Sequence, residues 1–338
     1  MRTEYIKAVH DSFVSTGLLP RSELVQQCVA EAYELVRHND AGENSRVYPA
    51  LARAPRNLFG IAVAGISGER YEAGDALHPF AIMSVSKPFV FALVCEALGA
   101  ERARAEIGVN ATGLPFDSVI AIERGPEGRT NPMVNTGAIA TTSLVPGTTA
   151  ETKWRRIHEG LSAFAGRALT VDEEIYASAS TSNDRNRGIA HLLRNCGRIA
   201  FDSIEAIDLY TRQCSLSVSA RDLAVMGATL ADGGVNPHTR ERVVAARVCR
   251  HALAVMTTAG LYEASGDWLY DIGVPGKSGI AGGIVAVAPG KGALGTFAPP
   301  LDAAGNSIKG RLAAKFLAQR LGLDIFASQP AEGSARAV

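Results

Sequence analysis

The sequence lacks the features that would tie it to metal, membrane or nucleic acid. Its five cysteines, Cys28, Cys95, Cys196, Cys214 and Cys249, are dispersed and odd in number, with no C-x-x-C spacing. Such a set reads as free thiols in a reducing cytoplasm. No apolar run approaches the roughly 18 residues needed to cross a bilayer. The segments GIAVAGI (60–66) and GIAGGIVAVAPG (279–290) are shorter and glycine-rich, and read as buried strands. The opening MRTEYIKAVH has no apolar core and does not read as a secretion signal. Neither sign of charge dominates, since 34 basic residues balance 34 acidic ones. No basic block or aromatic–basic interleaving points to nucleic acid. The seven histidines are scattered, no H-E-x-x-H occurs, and each reads as structural or surface. No internal repeat is visible.

What is present is a chain of 338 residues, 47% hydrophobic, enough for one large domain or two intimate lobes. Residues 3–38 carry two helical patterns broken by STGLLPRS (15–22). In the second, Leu24, Val25, Cys28, Val29, Ala32 and Leu35 share a face, with Ser22 as N-cap. LFGIAVAGISGERYEAGD (58–75) predicts a hairpin turning at Ser67-Gly68. A helix follows from Ser84 to Gly99. Residues 100–255 read as mostly helical, with segments at 136–145, 151–166, 186–196, 203–214 and 218–232. GIAGGIVAVAPG and GALGTFAP (292–299) predict a second hairpin, and a last helix covers 306–321. Strands cluster at both ends of the chain. If they meet in one sheet, the helical block becomes a lobe beside it and the site lies in the cleft between. The expected division is a helical segment over 1–46, a catalytic domain over 47–325 and a loose tail over 326–338.

The chemistry begins at AIMSVSKPFVF (81–91), where Ser84 precedes Lys87 by three residues. With 22 serines and 7 lysines in the chain, about half an S-x-x-K match arises by chance. Yet lysine is scarce here, and this one falls inside an apolar segment. Spacing i, i+3 puts both side chains on one helix face, and the helix dipole favours negative charge at its start. A serine hydroxyl needs a base to become a nucleophile, and a desolvated lysine can be that base. The plain alternative is a helix cap beside a snorkelling lysine. GKSGIAGG (276–283) then adds Lys277-Ser278-Gly279, close to the K-T-G that accompanies S-x-x-K in penicillin-recognising serine enzymes. A glycine-flanked strand edge suits an oxyanion hole.

With these motifs in hand, the chain resembles the serine-dependent glutaminases, which share the β-lactamase-like fold. The likeness runs from Tyr48 to Leu321 and rests on SVSKPF, GRTNPMVNTGAIATTSL, DRNRGIA, DLYTRQCSL, MGATLADGG, GKSGIAGGI and PPLDAAGNSIKG, in that order. It implies an α/β fold with a mainly antiparallel sheet from 47–80 and 255–300, flanked by helices, and a helical lobe over 100–250. It implies hydrolysis of L-glutamine to L-glutamate and ammonia through an acyl-Ser84 intermediate, with Lys87 as base. Tyr48, Asn135, Asn186, Tyr210, Tyr262 and Ile280 would line the substrate site. Tyr210 or Tyr262, or both, would relay protons, and the Ile280 N–H would join that of Ser84 in the oxyanion hole. No cofactor is implied, and the family's homo-oligomers suggest a dimer or tetramer.

Two positions depart from the family pattern. Met83 stands where the family has Gln, and Ala179 where it has the Glu that faces the substrate α-ammonium. Loss of such a buried partner costs about 2–5 kcal/mol. Three explanations are open: another acid replaces the Glu, glutamine is hydrolysed weakly, or the substrate is an amide without a free α-ammonium. Beyond glutaminase chemistry, an amidase or esterase on the same fold and a non-catalytic partner protein are the alternatives. EIGVN (106–110) mimics a β-lactamase motif but falls too early in the chain.

Overall fold

The computed structural model describes residues 17–199 and 201–328. The helical pattern at the extreme N-terminus and most of the tail lie outside the described residues.

The five-stranded sheet has the order β2-β1-β8-β7-β6, antiparallel throughout. Its strands are β1 (Gly60–Gly65), β2 (Arg70–Gly74), β6 (Gly276–Ser278), β7 (Gly283–Ala288) and β8 (Gly292–Phe297). Strands from the two ends of the chain therefore meet, with β1 against β8 in the register Gly60↔Phe297 to Gly65↔Gly292. Both faces are covered, which is why GIAVAG and GIVAVA are buried at every residue instead of alternating.

The faces differ in the size of their side chains. Ile61, Val63, Ile284, Ala286 and Leu294 face one core with the helices Ser22–Val36 and Ile308–Arg320. Ala62, Ala64, Val285, Val287 and Ala293 face the other core, with the helix Ala220–Ala231. That helix lies so close that a Cβ at Gly295 would stand 2.1 Å from the Ala220 carbonyl oxygen and 2.7 Å from the Ala224 nitrogen. Its Gly227 meets the Ala293 methyl and Val285 in the same way. Small residues on both partners are what allow this approach.

The helices read over 136–145, 151–166, 186–196, 203–214 and 218–232 form as Asn135–Ser143, Ala150–Ala165, Asp184–Asn195, Ser203–Cys214 and Ala220–Ala231. Several details differ from the sequence reading. Ser22 is the first helical residue and Arg21 the cap. The Ser22 hydroxyl instead pairs with Tyr71 Oη at 2.9 Å. Leu24 and Leu35 are exposed, and Val36 completes the buried face. Residues 279–282 form a tight turn between β6 and β7, with the Gly282 N–H on the Gly279 carbonyl at 2.9 Å. Gly282 adopts φ +103°, which favours glycine.

A second sheet, β3 (Phe80–Ala81), β5 (Leu216–Val218) and β4 (Thr170–Val171), was not foreseen. Strands of two or three residues are too short to show a period. No helix among the described residues is long and apolar enough to cross a membrane.

Gly295→Ala should cost about 1–3 kcal/mol of stability, because the new methyl meets backbone rather than a movable side chain. Urea denaturation measures this, and an unchanged midpoint would show that the helix can lift off the sheet freely.

Candidate active site

The turn carrying Ser84 is built by its neighbours. β3 pairs with β5 just before it, and the Ile82 N–H donates to the Leu216 carbonyl at 2.8 Å. Met83 then takes φ +48°, a left-handed conformation that costs a non-glycine residue of order 1 kcal/mol. Ser86 Oγ donates to the Met83 carbonyl at 2.8 Å and accepts from Gln213 Nε2 at 3.0 Å. Thr142 Oγ1 holds the other end of that amide at 3.0 Å. Residues 83–86 form a 3-10 turn, and the α-helix proper begins at Lys87. The predicted helix from Ser84 thus starts one tight turn later.

Lys87 is 1% exposed. Its Nζ donates to Asn135 Oδ1 at 2.7 Å and to the Met133 carbonyl at 3.2 Å, not to Ser84. Burial lowers its pKa to about 7. The NPMVN loop that supplies both acceptors feeds the helix Asn135–Ser143.

From Asn135 a directed chain of amides leads away from the lysine. Asn135 Nδ2 donates to Asn186 Oδ1 at 3.0 Å, and Asn186 Nδ2 to Asn183 Oδ1 at 2.7 Å. Asn183 Nδ2 donates to Thr211 Oγ1 at 2.8 Å, and that hydroxyl donates to the Ile207 carbonyl at 2.8 Å. Each link fixes the orientation of the next amide, so Asn135 must present its oxygen to Lys87. Tyr210 Oη donates to the same oxygen at 3.2 Å. Burial raises the pKa of the Tyr210 and Tyr48 hydroxyls.

Tyr262 approaches Ser84 from the other side. It sits at φ +59° and donates to the Ser278 carbonyl at 3.2 Å, which leaves its oxygen to accept from Ser84. Burial pushes it up to about 12, against hydrogen bonding with Ser84 and Ser278. Lys277 Nζ lies 4.1 Å from the centre of the Tyr262 ring and donates to the Gly260 and Ser278 carbonyls at 2.8 and 2.7 Å. Ser278 Oγ bonds Asn306 Oδ1 at 2.5 Å. A Cβ on Gly279 would come within 3.0 Å of the Ile82 carbonyl and 3.3 Å of Met83 Cβ. The close fit of the β6–β7 turn on the Ser84 turn therefore favours glycine, since a methyl would push these neighbours aside by a few tenths of an ångström.

A cavity of about 80 Å³ opens on Ser84. Tyr48, Asn135, Asn186, Tyr210 and Ile280 line it, as does Met83. Lys277 and Ser278 are fully buried behind it. Ala179 is 2% exposed and is not among the lining residues. Sequence reasoning missed Asn183, Gln213, Asp117 and Arg185. Gln213 and Arg185 sit inside the quoted motifs, and Asn183 immediately precedes DRNRGIA, next to residues that drew the attention. Asp117 lies in none of the quoted motifs.

Fold and site together define a serine hydrolase of the β-lactamase-like class. A model of the glutaminase family matches residues 42–326, and the chain belongs to that family. It is 65% identical over 318 residues to "Glutaminase 2" of Yersinia pestis, covering 94% of each chain. A solved structure titled probable glutaminase ybaS superposes with a TM-score of 0.90 at 42% identity, covering 91% of this chain and all of that one. Mglu, solved in its glutamate form, superposes with a TM-score of 0.86 at 36% identity, covering 92% of this chain and 72% of that one.

The pKa of Lys87 has a consequence for stability. The unfolded chain holds this proton up to the ordinary 10.5, and the native site releases it near 7. The cost of burying the lysine is fully present below pH 7 and is relieved as pH rises toward 10.5. Between pH 7 and 9 this group should add up to about 1.4 kcal/mol of stability per pH unit. Lys87→Met should lose that increment in urea titrations at pH 7, 8 and 9, and parallel slopes for the two proteins would contradict it.

Proposed function

We propose that this protein hydrolyses L-glutamine to L-glutamate and ammonia through an acyl-Ser84 intermediate. The observation that carries the reading is a buried Ser84 one turn from a buried lysine of lowered pKa, opening on a cavity lined by the amides Asn135, Asn183 and Asn186. The family membership and the glutamate form of Mglu supply the substrate class.

Ser84 Oγ attacks the γ-amide carbon as its proton passes to neutral Lys87, one helical turn away. The oxyanion is received by the Ser84 and Ile280 N–H groups. The C–N bond breaks as Tyr262 gives a proton to the departing nitrogen, and the Lys87 ammonium restores it. Water then attacks the acyl carbon, its proton returns to Ser84 through the same groups, and glutamate leaves. Tyr262 takes the relay role because hydrogen bonding with Ser84 acts on its hydroxyl. Tyr210 positions Asn135, and Asn135 positions Lys87. Lys277, Ser278 and Gly279 support the turn bearing Ile280. The reading places the enzyme in the cytoplasm, in keeping with its five free cysteines, and as a homo-oligomer, for which the support is the family likeness.

Ser84→Ala should lower ammonia release from L-glutamine by more than about 1000-fold while the protein stays folded. Wild-type levels of release from that variant would rule out the acyl-serine. In the wild type, kcat/KM should fall tenfold per pH unit below about pH 7, where Lys87 is protonated. A profile flat down to pH 5 would remove Lys87 as the base.

A further inference from the structure

We propose that Asp117 is the carboxylate that receives the substrate α-ammonium, in place of the acid missing at Ala179. Free glutamine is a zwitterion, so its ammonium must leave water for a site that offers an anion. Ala179 is a buried methyl and offers none. Among the residues lining the Ser84 cavity, Asp117 is the one carboxylate and Arg185 the one cation.

Asp117 is held in place from several directions. The Asn135 backbone N–H donates to the Phe116 carbonyl at 2.8 Å, so the residue before Asp117 is tied to the backbone of the residue whose side chain accepts from Lys87. The Phe116 ring packs on Tyr262, with centroids 4.6 Å apart. Arg185, beside Asn186 at the start of the helix Asp184–Asn195, contacts Asp117 Oδ2 at 2.6 Å and donates to its carbonyl at 2.9 Å. Asp117 Oδ1 makes no hydrogen bond among the described residues and remains available for an ammonium. With 32% of its side chain exposed, Asp117 is partly desolvated yet open to the cavity. Arg185 is a positioning residue that aims the carboxylate. A structural ion pair could have been formed anywhere on the surface; this one borders the cavity of the nucleophile.

The proposal rests on the amide hydrolysis above and adds to it the choice among amides. The test compares kcat/KM for L-glutamine with that for glutaramate, the same γ-amide without the α-ammonium. Each variant serves as its own folding control, because the readout is the ratio. The wild type should favour glutamine. Asp117→Asn should reduce the glutamine-to-glutaramate ratio by about 30-fold or more, and Asp117→Glu should reduce it less. Calorimetric binding of L-glutamate against glutarate should show the same loss of preference in Asp117→Asn. A ratio that changes less than about threefold, or a wild type that prefers glutaramate, would overturn the assignment of Asp117 and leave the acyl-serine reading intact. A folded wild type that releases ammonia from neither amide would overturn that reading and this proposal with it.

Discussion

The site depends on keeping Lys87 dry. An ammonium taken out of water tends to lose its proton, and the degree of burial here brings that loss close to neutral pH. A neutral amine still needs acceptors for its N–H groups, and a buried unpaired donor would be costly. Asn135 Oδ1 and the Met133 carbonyl meet that need. Neither is a carboxylate. An acid bonded to Lys87 would hold its proton and remove the base. The local preference for amides over acids around the lysine thus has a direct electrostatic reason.

The backbone around Ser84 serves the same end. Its turn is clamped between β5 on one side and the β6–β7 turn on the other. The left-handed Met83 is held by the Ser86–Gln213 pair rather than by a favourable intrinsic conformation. Strain at a catalytic turn persists only where its surroundings over-determine it. The tight seating of the helix Ala220–Ala231 on the sheet, through Gly227, Ala293 and Gly295, makes the platform on which β8 and β7 carry the turn with Ile280.

Much of this was legible in the sequence because it rests on local patterns. The S-x-x-K pair, the K-S-G run, both hairpins and the meeting of terminal strands follow from spacing, glycine placement and apolar runs. The short strands β3, β4 and β5 escaped because two or three residues carry no period. Ser86 sat in plain view inside SVSK, but its partner Gln213 is 127 positions away, and only the fold joins them. Asp117 was hidden for the same reason. It belongs to no chemical motif, and the distant helix bearing Arg185 and Asn186 brings it to the cavity. The family resemblance could mark the acid absent at Ala179, but not which loop would stand in for it.

The second lysine shows how one buried charge governs another. Lys277 is as deeply buried as Lys87, and desolvation followed by the charge of Lys87 holds its pKa well below the usual lysine range. Two ammonium groups in one dry region repel strongly, so protonating either opposes protonating the other. Lys277 has bonds to two backbone carbonyls and the face of Tyr262, and a neutral amine can donate to both carbonyls. It therefore ties β6 to the Gly260 carbonyl beside the site. Replacing it with a permanently charged group would bring a fixed positive charge beside Tyr262 and Lys87. That charge would lower the pKa of Lys87 further and weaken it as a base.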